Sequence, residues 1–178
     1  SHTFPNEIVR SLNVSPCYVF GGSDVSSKCE DVFLLKNSNS QSRSILGILK
    51  SKFFNLNKND IVLIPYSNDN YKFIESELKG LVKVVGYDIS EQLNDKLSLT
   101  RFRREIKRVT SELSKHFKRK VHYLSLKREC LSSKNAAEAF SKLENLFVEN
   151  ETDLSLSGFV YILNSFLIVS TPSSSAQV

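Results

Sequence analysis

At 178 residues the chain is long enough to bury a substantial core, and 40% hydrophobic against 24% charged side chains excludes wholesale disorder. No apolar run approaches the roughly 18 residues of a membrane helix. The net charge of +5 is local: residues 1–100 balance at zero, 101–128 carry +9 and 129–178 carry −4.

In chain order, residues 1–16 hold Pro5, Pro16 and a short amphipathic piece, EIVRSLNV, read as a turn or two of helix or an arm on the body. The texture then turns to strands. Cys17–Phe20, Asp31–Leu35, Arg43–Leu49, Ile61–Ile64 and Leu81–Tyr87 are short, rich in branched and aromatic residues, and separated by GGSD, NSNSQS, NLNKND and SNDN. Gly47 inside the third suits a coiled strand at a barrel corner. Gly21 and Gly22 make a turn, because glycine alone enters such conformations without cost.

These elements predict an α+β protein with a β-rich, small-barrel-like N-terminal lobe (OB-like or Tudor-like) over residues 1–97. Within it, residues 70–80 break the pattern. Tyr71, Ile74 and Leu78 have helical spacing, Asn70 is the cap and Gly80 the left-handed stop. The same residues also read as a β-α-β crossover, which gives the alternative fold class, α/β with a partly parallel sheet. The segments KFFNLNKNDIVLIPYSND and VKVVGYDISEQLNDK resemble the initiation-factor type of OB domain over less than a third of the chain, without amounting to membership.

The stretch Arg101–Arg128 holds eleven Lys/Arg and two Glu. Phe102, Ile106, Val109, Leu113 and Phe117 recur at steps of 3 and 4 and fall in one stripe at about 100° per residue, so the first part is an amphipathic helix. Ser98 or Thr100 is the expected cap, which sets Arg101, Arg103 and Arg104 at the positive end of the helix dipole and favours an anion there. An ordinary solvated face mixes signs; this one does not. The basic helix opens a second region, a mixed α/β lobe over residues 98–170, followed by a disordered tail at 171–178. There Lys120–Leu126 reads as a strand, the helix bearing Ala136, Phe140, Leu143 and Phe147 starts from an Asn135/Glu138 capping box, and Phe159–Ser170 reads as a central strand or strand pair.

Function is read from the charge. Arg101, Arg103, Arg104, Lys107, Arg108, Lys115, Lys118, Arg119 and Lys120 are the expected contacts to phosphate or to an acidic partner, with Tyr18, Phe33, Tyr66 and Tyr87 as an aromatic platform. The predicted function is non-catalytic nucleic-acid binding, in an intracellular and nuclear protein that is part of a larger protein or complex. The alternative is a chromatin or scaffold interaction module that docks an acidic partner.

No cofactor and no metal is expected. Cys17, Cys29 and Cys130 have spacings unlike those of zinc ligands and read as buried free thiols, small packing residues, of a reducing compartment. His116, near the apolar stripe, reads as an edge-of-core histidine. Asp60 with Glu77-Leu78-Lys79 resembles the acid plus E-x-K pattern of restriction-endonuclease-like nucleases, which implies two carboxylates on a magnesium ion and a lysine beside the attacking water.

Overall fold

The computed structural model describes residues 4–19, 40–51, 56–66, 69–88, 96–149 and 152–168. Six helices and two strands stand among them: α1 Asn6–Ser11, α2 Ser40–Lys50, β1 Ile61–Pro65, α3 Asp69–Leu78, β2 Lys83–Tyr87, α4 Lys96–Phe117, α5 Tyr123–Val148 and α6 Leu156–Ile168. The chain divides into two compact units, one of Ser1–Phe4 with Val19–Arg119 and one of Pro5–Tyr18 with Lys120–Val178.

The first unit is built on a parallel pair. β1 and β2 run side by side in register from Ile61↔Lys83 to Pro65↔Tyr87, and α3 is the crossover between them. Of the two arrangements the sequence leaves open for residues 61–87, this is the one present. Its core is made by Ile45, Leu46 and Leu49 of α2, Ile64 of β1, Ile74 and Leu78 of α3, and Val82. Gly80 at φ +91° ends the crossover helix as expected and lets the chain turn into β2. Phe4 packs edge-on against Tyr87 at 5.9 Å between ring centroids, and its amide donates to the Tyr87 hydroxyl at 3.1 Å.

The barrel expectation is therefore overturned: the described residues are mostly helical and hold two short parallel strands. Arg43–Leu49 forms helix because Ile45, Leu46 and Leu49 sit at helical offsets on one buried face, a period that a strand cannot use. No strand forms over residues 17–19, while Phe20 and Asp31–Leu35 lie outside the described residues, as do Gly21, Gly22 and the tail at 171–178. The resemblance to an OB domain fails for the same reason, since a parallel pair joined by a helix is not a barrel of antiparallel strands.

In the second unit α1 packs on α5. The predicted strand at Lys120–Leu126 is instead the entry to α5, which starts at Tyr123, and Phe159 to Ile168 is helix. A dozen nearly continuous apolar residues fit either state by periodicity; here the helix wins because it lays Phe159 between Phe140 and Phe147 of α5, at 6.2 and 4.3 Å. Asn135 and Glu138 are no capping box, being interior to α5, and Glu138 pairs with Lys134 at 3.6 Å.

Candidate functional site

The geometry of α4 decides where the basic residues lie. Glu112 meets Lys83, the first residue of β2, at 2.8 Å, and Glu105 accepts from the amide of Asp88, just past its last, at 3.1 Å. The helix therefore runs antiparallel to β2. Val109 and Leu113, on the expected stripe, are 0% exposed and anchor it. Its first turns, with Arg101, Arg103 and Arg104, project past the carboxyl ends of the parallel strands, the edge at which ligands bind in parallel α/β sheets.

That edge carries a polar network. The Tyr66 hydroxyl, one residue beyond β1, donates to Glu75 of α3 at 2.7 Å. Burial first, and then this bond, push its phenol up to about 12, so it stays a neutral donor. The Tyr66 ring lies on Gly86, where a Cβ would run into it. Arg108 donates to the Gly86 carbonyl and to Glu105, with its Nε 3.0 Å from Glu105 Oε2. The guanidinium holds the Glu105 carboxyl below its usual range, and the carboxylate raises Arg108 in turn. Tyr66, Glu75, Gly86, Asp88, Glu105 and Arg108 thus tie both strand ends to both flanking helices.

The predicted cations divide by position. Arg101, Arg103, Arg104 and Lys107 are exposed, and among the described residues none of them makes an ion pair, although Arg104 adds to the field on Glu105. Arg108 is turned inward to the strand end. Lys115 reaches Glu112 at 3.9 Å and sits with His116 in the last turn, where cations suit the helix dipole. Lys118, at φ 53°, and Arg119 lie in the exit from α4, while Lys120 belongs to the second unit. Capping at Ser98 or Thr100 does not occur, because the helix already begins at Lys96 and the Thr100 hydroxyl bonds back to the Lys96 carbonyl. The arginines consequently lie beyond the first turn, and the dipole argument for an anion there lapses.

The aromatic platform also dissolves. Tyr87 is 3% exposed core, Tyr66 is half-buried with its hydroxyl committed to Glu75, Tyr18 is half-buried in the second unit, and Phe33 lies outside the described residues. His116 bonds to the Asn59 carbonyl at 2.9 Å and stacks edge-on against Phe117, an edge-of-core residue as read. The E-x-K resemblance has no site behind it: Glu77 pairs with Lys50 at 2.6 Å, and Asp60 accepts from the Asn57 amide in a turn. No group of three metal-ligating side chains occurs among the described residues. The expectation of buried thiols fails for two of the three cysteines, since Cys17 and Cys130 are exposed free thiols, and Cys29 is outside the described residues. An open groove of about 480 Å³ between α3 and the start of β2, flanked by Lys72, Lys79 and Lys83, lies at the other end of the strands.

The family model for 2-hydroxyglutaryl-CoA dehydratase, D-component, matches residues 2–177, nearly the whole chain. The chain belongs to this dehydratase D-component family. No curated protein matches it. Membership corrects the functional reading of the charge: a dehydratase component is an enzyme-associated protein, and the nucleic-acid-binding, chromatin, nuclear and nuclease readings fall with it. What stands of the partner expectation is that the protein works as part of a complex, since the family is by description one component of an enzyme. Among the described residues, no helix of this D-component relative is long and apolar enough to cross a membrane.

Sequence reasoning missed Glu75, Gly86, Asp88 and Glu105. The signal that could have found them is the crossover reading, which sets Pro65-Tyr66 beside Gly86-Tyr87-Asp88 at one sheet edge.

Proposed function

We propose that this chain serves a dehydratase acting on a 2-hydroxyacyl-CoA, and that the overhanging face of α4 holds the anionic end of the thioester. What supports the reading is the antiparallel run of α4 on β2, which carries the turns before Glu105, with Arg101 and Arg104, past the carboxyl edge of the parallel strands. Coenzyme A carries a diphosphate and a separate phosphate, and exposed guanidinium groups recognise such oxygens by paired, charge-assisted hydrogen bonds. The network of Tyr66, Glu75, Glu105 and Arg108 keeps the edge in one conformation while a ligand comes and goes. An acidic surface of a companion component is the other occupant these cations suit.

The test of the activity is elimination of water from 2-hydroxyglutaryl-CoA by the chain together with the components that co-purify with it, followed by mass spectrometry. Conversion to the unsaturated thioester that requires this chain supports the reading. An unchanged substrate in the complete mixture, or conversion that proceeds equally without the chain, overturns it.

A further inference from the structure

The outer edge of β2 is open at one residue. The Tyr66 amide bonds to the Tyr87 carbonyl at 2.8 Å in the register Pro65↔Tyr87, so residues 83, 85 and 87 are the ones that pair with β1. Val84, Gly86 and Asp88 therefore turn their backbone groups outward. Arg108 takes the Gly86 carbonyl and Glu105 the Asp88 amide, whereas the Val84 amide and carbonyl have no partner among the described residues.

The groove of about 480 Å³ runs beside this gap. It is lined by β2 and by one side of α3, with no residue of β1, and so opens along the outer edge. Lys72, Ser76 and Lys79, at helical offsets, are its exposed α3 wall. Gly80 leaves the mouth clear, with no atom within 4 Å of where a Cβ would stand. Glu75, also in that wall, is turned to the Tyr66 hydroxyl, and Lys83 is held by Glu112. Val84 packs on the core under α3, so a strand residue set opposite it presents its side chain on the α3 side too.

We propose that this edge receives an extended acidic segment of a partner polypeptide, added to the sheet antiparallel to β2. One residue opposite Val84 then exchanges both backbone bonds with it, and that residue and those two away face the lysines. Lys72 and Lys79 stand roughly 10 Å apart along α3. Alternate side chains of a strand are roughly 7 Å apart, a difference that two long lysine side chains close. A free anion would use the lysines and leave the Val84 amide and carbonyl unmet; an acidic peptide uses both. A second copy is disfavoured, because its own edge carries the same two lysines and like charges would oppose one another.

The test is fluorescence anisotropy of a labelled synthetic peptide of about eight residues alternating Glu and Thr, titrated with the full chain. This peptide is expected to bind, and the same peptide with Lys in place of Glu is not. Lys72→Glu combined with Lys79→Glu, both exposed and so without effect on the circular dichroism spectrum, lowers the affinity about tenfold or more, whereas Arg101→Glu with Arg104→Glu on α4 changes it by less than about twofold. N-methylation of the Glu amides, which point to β2, abolishes binding, and N-methylation of the Thr amides is tolerated, a contrast that charge alone would not give. No binding of the acidic peptide, equal affinity in the lysine variant, or indifference to which amides are methylated overturns the inference. So does inorganic triphosphate that binds at these lysines where the peptide fails, which would mark a site for a free anion.

Discussion

At the scale of single residues, the carboxyl edge of the strands is fixed by a few polar bonds whose protonation can be followed. The Tyr66 phenol titrates at about 12 in the folded chain, above its ordinary value, through burial and its bond to Glu75. A raised pKa means the folded state keeps a proton that the unfolded chain releases first. This contribution to stability is complete below about pH 10 and declines as pH rises from there toward 12. Tyr66→Phe should flatten the alkaline fall in stability measured by urea unfolding, and should remove one phenol that titrates near 12 from the ultraviolet difference spectrum. An unchanged alkaline profile would show that Tyr66 is not held as described. Glu105 has the opposite sign: Arg108 depresses it, so its contribution is present at neutral pH and is lost as pH falls through its folded value. Gly86→Ala sets a methyl group into the Tyr66 ring; a cost of about 1–3 kcal/mol is expected, with loss of the Tyr66–Glu75 bond seen in the phenol titration.

Among elements, α4 has the most to do, and its apolar and basic faces separate cleanly. Leu113, 0% exposed, should cost about 2–5 kcal/mol as Leu113→Ala in denaturant unfolding, whereas Arg103→Ala on the solvent side of the same helix should stay within about 0.5 kcal/mol. Equal losses would contradict the assigned faces. This helix and α3 were legible in the sequence because their buried residues repeat at 3 and 4 over several turns. α2 and α6 were not. RSILGIL is too short and FVYILNSFLI too uniformly apolar for period to separate helix from strand, and branched residues around a glycine tilt the reading toward strand. What decides them is packing, Leu46 and Leu49 on α3 and β1 in one case and Phe159 against α5 in the other. The site was legible only in its charge. Partners such as Tyr66 and Glu75, or Arg108 and the Gly86 carbonyl, become neighbours only through strand pairing and leave no local pattern.

For the whole molecule, the basic face of α4 acquires its meaning from the strand order. A basic helix alone suits any polyanion, and that is why composition pointed to nucleic acid. A basic helix whose first turns overhang a parallel strand edge, in a chain of a CoA-thioester dehydratase family, suits a compact phosphorylated ligand. The most direct test is titration of the full chain with coenzyme A by calorimetry across a salt series, for the wild type and for Arg101→Glu with Arg104→Glu. Binding that weakens as salt rises, and that falls about tenfold or more in the doubly reversed variant while its thermal unfolding is unchanged, is the predicted result. No binding by the wild type at low salt, or equal affinity in both proteins, would contradict it.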